Sequence, residues 1–139
     1  MTPATQKDNS ALTVMKQERP YLAKINEDFP KIRTVENNDL LINYLVTLIN
    51  IKTTTEAEFK DLEIQMFVIL DFIKSKFGQL TEEEIKEAFK MYVAKDFGHK
   101  EIYRTLDTIV VSDVLNKYLD YRSQVLRSYD QKQREFLTL

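Results

Sequence analysis

Two glycines and three prolines in 139 residues constrain this chain's fold more than any other feature. Sheet proteins turn their strands with glycine and proline, because those residues supply the backbone angles that tight turns need. This chain has almost none to spend. Both glycines follow a phenylalanine, in Phe77-Gly78 and Phe97-Gly98, and each closes an apolar-periodic stretch, where glycine ends a helix. The expected fold is therefore all-α: a compact bundle of about five helices with a long C-terminal helix. A chain of this length is ordinarily one domain. It can bury roughly two thirds of its unfolded surface, enough to fold without a metal or a disulfide. The opening "MTPATQKDNS" is polar and lacks the apolar core of a secretion signal. Residues 1–10 are expected to be disordered, and residues 11–139 to form a single helical domain.

Apolar spacing places the helices. "ALTVMKQE" can form two turns before Pro20. Pro20 and Pro30 bracket "YLAKINEDF", so Arg19 and Phe29 read as boundaries. This arm is expected to pack on the body through Tyr21, Leu22, Ile25 and Phe29. In "NNDLLINYLVTLINIK", Leu41, Tyr44, Leu45, Leu48 and Ile49 recur at three and four, giving one broad face. Thr55 and Glu58 have capping-box spacing at the start of a helix over residues 56–77. Phe59, Leu62, Met66, Ile69, Leu70, Ile73 and Phe77 line one side of it, and Ile64, Phe67 and Val68 are apolar elsewhere. A helix apolar most of the way round is expected to be central. Thr81 and Glu84 form a second capping box. Glu82, Glu83 and Glu84 then occupy a first turn, where the helix dipole favours acid. Ile85, Ala88, Phe89, Tyr92 and Val93 form the apolar face. Ile102, Tyr103 and Leu106 suit a short helix, and "TIVV" at 108–111 fits either a short strand or a helix start. Beyond it Val111, Val114, Tyr118, Tyr121, Val125, Tyr129 and Phe136 fall within about 80° of arc at about 100° per residue.

Composition removes much chemistry. With no cysteine, thiolate catalysis, disulfides and cysteine-ligated zinc are excluded together, which suits a reducing compartment. Net charge is −2, from 20 basic and 22 acidic residues, whereas a protein held to nucleic acid mainly by charge is usually basic. No apolar run approaches the roughly 18 residues of a membrane span, so no membrane contact is expected and the chain reads as cytoplasmic. The acid cluster Glu82, Glu83, Glu84 and Glu87 cannot converge on one point, because consecutive helical side chains diverge by about 100°; it reads as a cap. His99 reads as a loop or helix-end residue, and both glycines are isolated, so no phosphate-binding loop exists. No catalytic residue, metal or cofactor is expected. Two surfaces remain. Lys86, Lys90, Lys95, Lys100 and Arg104 lie among Tyr92, Phe97 and Tyr103, a mixture that suits stacking on nucleic acid. On the last helix Arg127, Tyr129, Arg134 and Phe136 stand where it would outrun its neighbours, which suits a protein partner or self-association.

The stretch "ILDFIKSKFGQLTEEEIKEAF" followed by "VLNKYLDYR" resembles small helical proteins of phages and mobile elements of gut Bacteroidetes. In those, an "LT-x-EEI-x-x-AF" helix precedes a "VLN-x-Y-x-x-YR" helix. The matching residues are Leu80, Thr81, Glu83, Glu84, Ile85, Ala88 and Phe89, then Val114, Leu115, Asn116, Tyr118, Tyr121 and Arg122. They span about residues 69–122. The connection "GHKEIYRTLDTIVV" departs from the shorter, more polar one of those proteins. The resemblance implies an accessory of phage DNA replication, such as a helicase loader or replisome organiser, in the host cytoplasm. Two readings follow: a non-enzymatic replication accessory that binds a protein partner, with or without DNA, or a protein-binding module, virion protein or inhibitor with no nucleic-acid contact.

Overall fold

The computed structural model describes residues 29–138. Residues 1–10, and the expected contacts of Tyr21, Leu22 and Ile25, lie outside them. Phe29, expected to pack on the body, is 41% exposed. A single 3-10 turn, Ile32–Thr34, precedes four helices: α1 (Asp39–Ile49), α2 (Glu56–Lys76), α3 (Glu82–Val93) and α4 (Thr108–Thr138). No strand occurs among the described residues, and the only pairing of extended backbone there is an isolated antiparallel bridge between Lys31 and Thr81. The all-α class holds, and the described residues carry four helices where about five are expected of the whole chain.

Local chemistry explains each boundary. Asn37 Oδ1 accepts from the Asp39 amide as α1 begins, and Asn50 ends it in the left-handed region at φ 65°. Asparagine tolerates that conformation because its short polar side chain bonds locally. Thr55 Oγ1 accepts from the Glu58 amide, as the capping box requires, but the Glu58 carboxylate reaches one residue further back, to the amide and hydroxyl of Thr54. Thr81 and Glu84 complete both halves of their box.

Gly78 follows the end of α2 as expected, and Gly98 does different work. α2 ends at Lys76 with Phe77 as its cap, and Gly78 is not in the left-handed region. A Cβ on Gly78 would lie 2.4 Å from the Lys74 carbonyl oxygen and 3.0 Å from Arg33 Cβ, so a side chain there would run into the last turn of α2 and crowd Arg33. α3 stops at Val93, earlier than Phe97-Gly98, with Lys95 as the left-handed residue at φ 65°. Gly98, at φ 86°, turns the following connection.

The short helix expected around Ile102, Tyr103 and Leu106 does not form. Its backbone groups are claimed elsewhere: the Tyr103 amide donates to Tyr92 Oη at 3.0 Å, and the Gln65 side chain donates to the Leu106 carbonyl. Leu106 itself is fully buried. "TIVV" is a helix start, because Asp107 caps it: Oδ1 accepts from the Val110 amide at 2.8 Å, and its carbonyl accepts from the Val111 amide. An N-cap carboxylate outweighs the small helix penalty of β-branching.

The central helix is α3, not α2. α3 buries Glu84, Ile85, Glu87, Ala88, Phe89, Met91 and Tyr92, and packs against α1 on one side and α4 on the other. α1 contributes Leu41, Leu45 and Ile49, and α4 contributes Val111, Val114, Leu115 and Tyr118. α2 buries only Met66, Ile69 and Ile73 within its length, and rests on α4 and the 3-10 turn. Its remaining apolar residues point elsewhere, since at about 100° per residue Ile64 and Val68 lie almost opposite Ile73. Backbone bonds from Ile32 to Leu80 (2.7 Å) and from Arg33 to Gly78 (3.3 Å), beside the Lys31–Thr81 bridge, stitch the start of the described chain to the α2–α3 connection.

Candidate protein-docking face

His99 and the acids at the start of α3, the groups the sequence singles out for proton chemistry, are each engaged with a partner. His99 Nε2 lies 2.7 Å from Asp113 Oδ2, and Asp113 also pairs with Lys117 one turn on. The Lys117 ammonium, helped by the His99 ring, holds the Asp113 carboxyl below its ordinary range against a smaller opposing effect of burial. Nδ1 is buried and meets no hydrogen-bond partner, and the ring stands edge-to-face with Tyr92, the centroids 4.9 Å apart. A general base must present its lone pair to a substrate's proton, and Nδ1 is not open to one. The pair fastens the α3–α4 connection to the first turns of α4. Sequence reasoning missed it because the partners are 14 residues apart with no local spacing to join them.

Glu84 is likewise occupied. It is fully buried; Oε1 accepts from the Thr81 amide, and Oε2 meets the Tyr118 hydroxyl at 3.2 Å and Arg122 Nε at 2.6 Å. The Arg122 N–H is not aimed at the oxygen, so the pair is held by charge at close range rather than by an aligned hydrogen bond. Glu82 accepts from Asn38, Glu83 from Lys86, and Glu87 pairs with Lys90. The four acids thus point to four different partners. Among the described residues no group of three or more His, Cys, Asp or Glu is placed to hold a metal ion.

The five basic residues singled out for nucleic acid divide. Lys86 is paired with Glu83 and lies 5.5 Å from the centre of the Tyr44 ring. Lys90 is paired with Glu87. Lys95, Lys100 and Arg104 are exposed on the α3–α4 connection, next to Tyr103, itself 59% exposed. Asp96, Glu101 and Asp107 share that segment, so its charge sums to zero. On α4, Arg127 and Arg134 are exposed, while the side chains of Tyr129 and Phe136 lie outside the described ones. Arg122 stands beside Glu84 in the first turn of α3, and α4 runs on from there to Thr138.

The apolar surface that sequence reasoning placed inside is on α2. Phe59 is 52% exposed, Ile64 65%, Phe67 73% and Val68 50%. Ile64, Phe67 and Val68 are spaced three and four apart and are neighbours on one face. Toward α1 the surface becomes a groove. One hollow of about 580 Å³ is lined by Ile42, Val46, Ile51, Phe59, Leu62 and Met66, among others. A second, of about 500 Å³, continues it past Phe67 and Leu70 to Glu36 and Lys74. Asp39, Phe67 and Leu70 belong to both. The polar rim is acidic, with Glu36, Asp39, Glu63 and Asp71 against Lys74. Isolated exposed apolar residues are ordinary on a protein surface, but a cluster rimmed by polar groups marks an interaction site. Among the described residues, no helix is long and apolar enough to cross a membrane. Comparison with models of known protein families, with curated proteins and with solved structures finds no match to this chain.

Proposed function

We propose that this chain is a non-enzymatic protein-binding accessory whose partner docks on the outward face of α2. The observation that carries this reading is the exposed set Ile64, Phe67 and Val68, which lies diametrically away from the core contacts of the same helix. A face of that kind suits an amphipathic helix of the partner, which would lay apolar residues at three and four spacing against it. Asp61 and Asp71 flank the exposed set at helical spacing, so the fitting partner helix carries basic residues at its margins. The resemblance described above supplies the context, phage or mobile-element DNA replication, with the partner a replication protein. The neutral charge of the α3–α4 connection favours the form of the proposal in which protein contact, and not DNA, dominates.

A photo-reactive amino acid in place of Val68, with a second chain carrying it at Lys100 as the comparison, tests this in host cells. The expected result is one discrete adduct from Val68, identified by mass spectrometry and lost when Ile64→Asp and Phe67→Asp are added. An adduct from Lys100 alone, or none from Val68, overturns the proposal. A dimer-sized adduct made of two copies of this chain replaces the foreign partner with self-association. Titration of the purified protein with DNA at low and high salt separates the two forms of the reading, because phosphate contacts weaken steeply with salt.

A further inference from the structure

The outward face of α2 has a symmetry that its apolar residues alone do not show. Lys60, Ile64, Phe67 and Asp71 are spaced four, three and four apart, the period of a seam along one side of a helix. All four are exposed. They lie symmetrically about the Gln65–Met66 peptide bond: the two apolar residues stand nearest to it, and two charges of opposite sign stand further out, at equal distances along the helix. Such a seam is complementary to itself when turned end for end. We infer that this face pairs antiparallel with α2 of a second copy when no partner is present, so that a partner binds by displacing the second copy. The displacement rests on the docking reading proposed above, and the pairing does not.

The two charges fix both the occupant and its direction. A two-fold interface uses one surface patch on both chains, so each contact is made twice. With the axis at Gln65–Met66, Ile64 packs on Phe67 of the second copy and Phe67 on its Ile64, while Lys60 meets its Asp71 and Asp71 its Lys60. The parallel arrangement sets Lys60 against Lys60 and Asp71 against Asp71, and like charges facing each other across an interface are costly. Lys60 already pairs with Glu56 at 3.9 Å, but both side chains are strongly exposed, and so open a pair is worth little when it is given up. Val68, half exposed, lies on the flank of the seam and adds apolar surface beside Phe67.

The seam is short. A stable interface engages about 20–30 residues a side, and this one offers Lys60, Ile64, Phe67, Val68 and Asp71. The pairing is therefore weak, with dissociation in the micromolar to millimolar range, and a helix of better fit can replace it. Until then it keeps Ile64 and Phe67 out of water.

Sedimentation velocity of the complete chain over a dilution series reads the pairing. The expected result for the native sequence is a sedimentation coefficient that rises with concentration from monomer to dimer. Lys60→Asp and Asp71→Lys, each alone, set like charges against each other at both ends of the seam and should weaken association about tenfold or more. A chain carrying both changes should associate as the native one does, because opposite charges face again. An equimolar mixture of the two single variants should form a dimer that neither forms alone. Unchanged melting temperatures show that the body is intact in every chain. A native chain that stays monomeric at millimolar concentration overturns the inference, as do single variants that associate unchanged or a doubly changed chain that stays apart. The Val68 cross-link in host cells separates the two proposals, because the foreign partner is present there to displace the second copy. An adduct made only of two copies removes the foreign partner and leaves the pairing, whereas a native chain that never associates removes the pairing and leaves the partner.

Discussion

Replacing Arg122 by alanine isolates the most consequential polar contact in the core. Glu84 is fully buried and Arg122 is 17% exposed, with the charges 2.6 Å apart. Removing one partner of a buried pair leaves an uncompensated charge and costs about 3–5 kcal/mol. The Arg122 N–H is not aligned on the carboxylate, and Tyr118 and the Thr81 amide still bond Glu84 in the variant, which places the expected loss at the lower end, about 3 kcal/mol. For a chain of this size each kcal/mol moves the melting temperature by about 3–4 °C, so Arg122→Ala should melt about 10 °C lower. Arg127→Ala, on the exposed side of the same helix, should stay within about 0.5 kcal/mol. Combining Arg122→Ala with Glu84→Gln should restore part of the loss, giving a coupling of about 2 kcal/mol in a double-mutant cycle by chemical denaturation. If Arg122→Ala costs less than about 1 kcal/mol, or the two changes simply add, the buried pair does not hold α3 to α4 and the reasoning fails.

Three further outcomes are expected. Thr81→Ala should cost about 0.5–2 kcal/mol by removing a cap, while Glu83→Gln, at a half-exposed surface pair, should leave stability and partner binding unchanged; lost binding at full stability would return the acid cluster to a functional role. Asp113 is held below the ordinary aspartate range mainly by Lys117, so its contribution is present above a pH of about 3.9 and disappears as pH falls through the lower folded value. Asp113→Asn should therefore lower stability by about 0.2–1 kcal/mol at pH 7, the worth of a half-exposed pair, and by nothing near pH 2 in thermal melts. Truncation after Val125 should leave the melting transition of the body in place, because among the described side chains Val125 is the last buried one on α4; a chain that fails to fold shows that the helix end belongs to the core.

The features legible in the sequence were those written within one turn of backbone. Thr81 and Glu84 stand three apart and form the box their spacing announces. Asp107 was legible in the same way, as an acid immediately before a helix, but the β-branched "TIVV" that it caps obscured it. Gly78 showed the opposite limit. Its position after an apolar run is that of a helix stop, and the Lys74 carbonyl one turn back sets the tightest constraint, but a second, Arg33 Cβ at 3.0 Å, comes from a residue distant in sequence. The pairs Glu84–Arg122 and His99–Asp113 are closed by tertiary packing, which no local period encodes. α2 misled for a related reason. Ile64, Phe67 and Val68 were read as evidence of burial on all sides, but hydrophobicity states what a residue prefers to touch and not that the same chain supplies it. An apolar surface left exposed and one buried in a core look alike in sequence.

The stitch at Lys31–Thr81 has a kinetic meaning. Its two residues are 50 positions apart, in a protein whose helices otherwise form from neighbours in sequence. Closing a loop of that length must be compensated by contacts that exist only once both ends have arrived. The bond from Ile32 to Leu80 spans α1 and α2 in sequence, so it is expected to form after the local helical contacts. A contact made after the rate-limiting step sets how slowly the native state opens, not how fast it is reached. Weakening the stitch should accordingly leave refolding unchanged and shorten the lifetime of the folded chain, with the segment around Lys31 the first to let go.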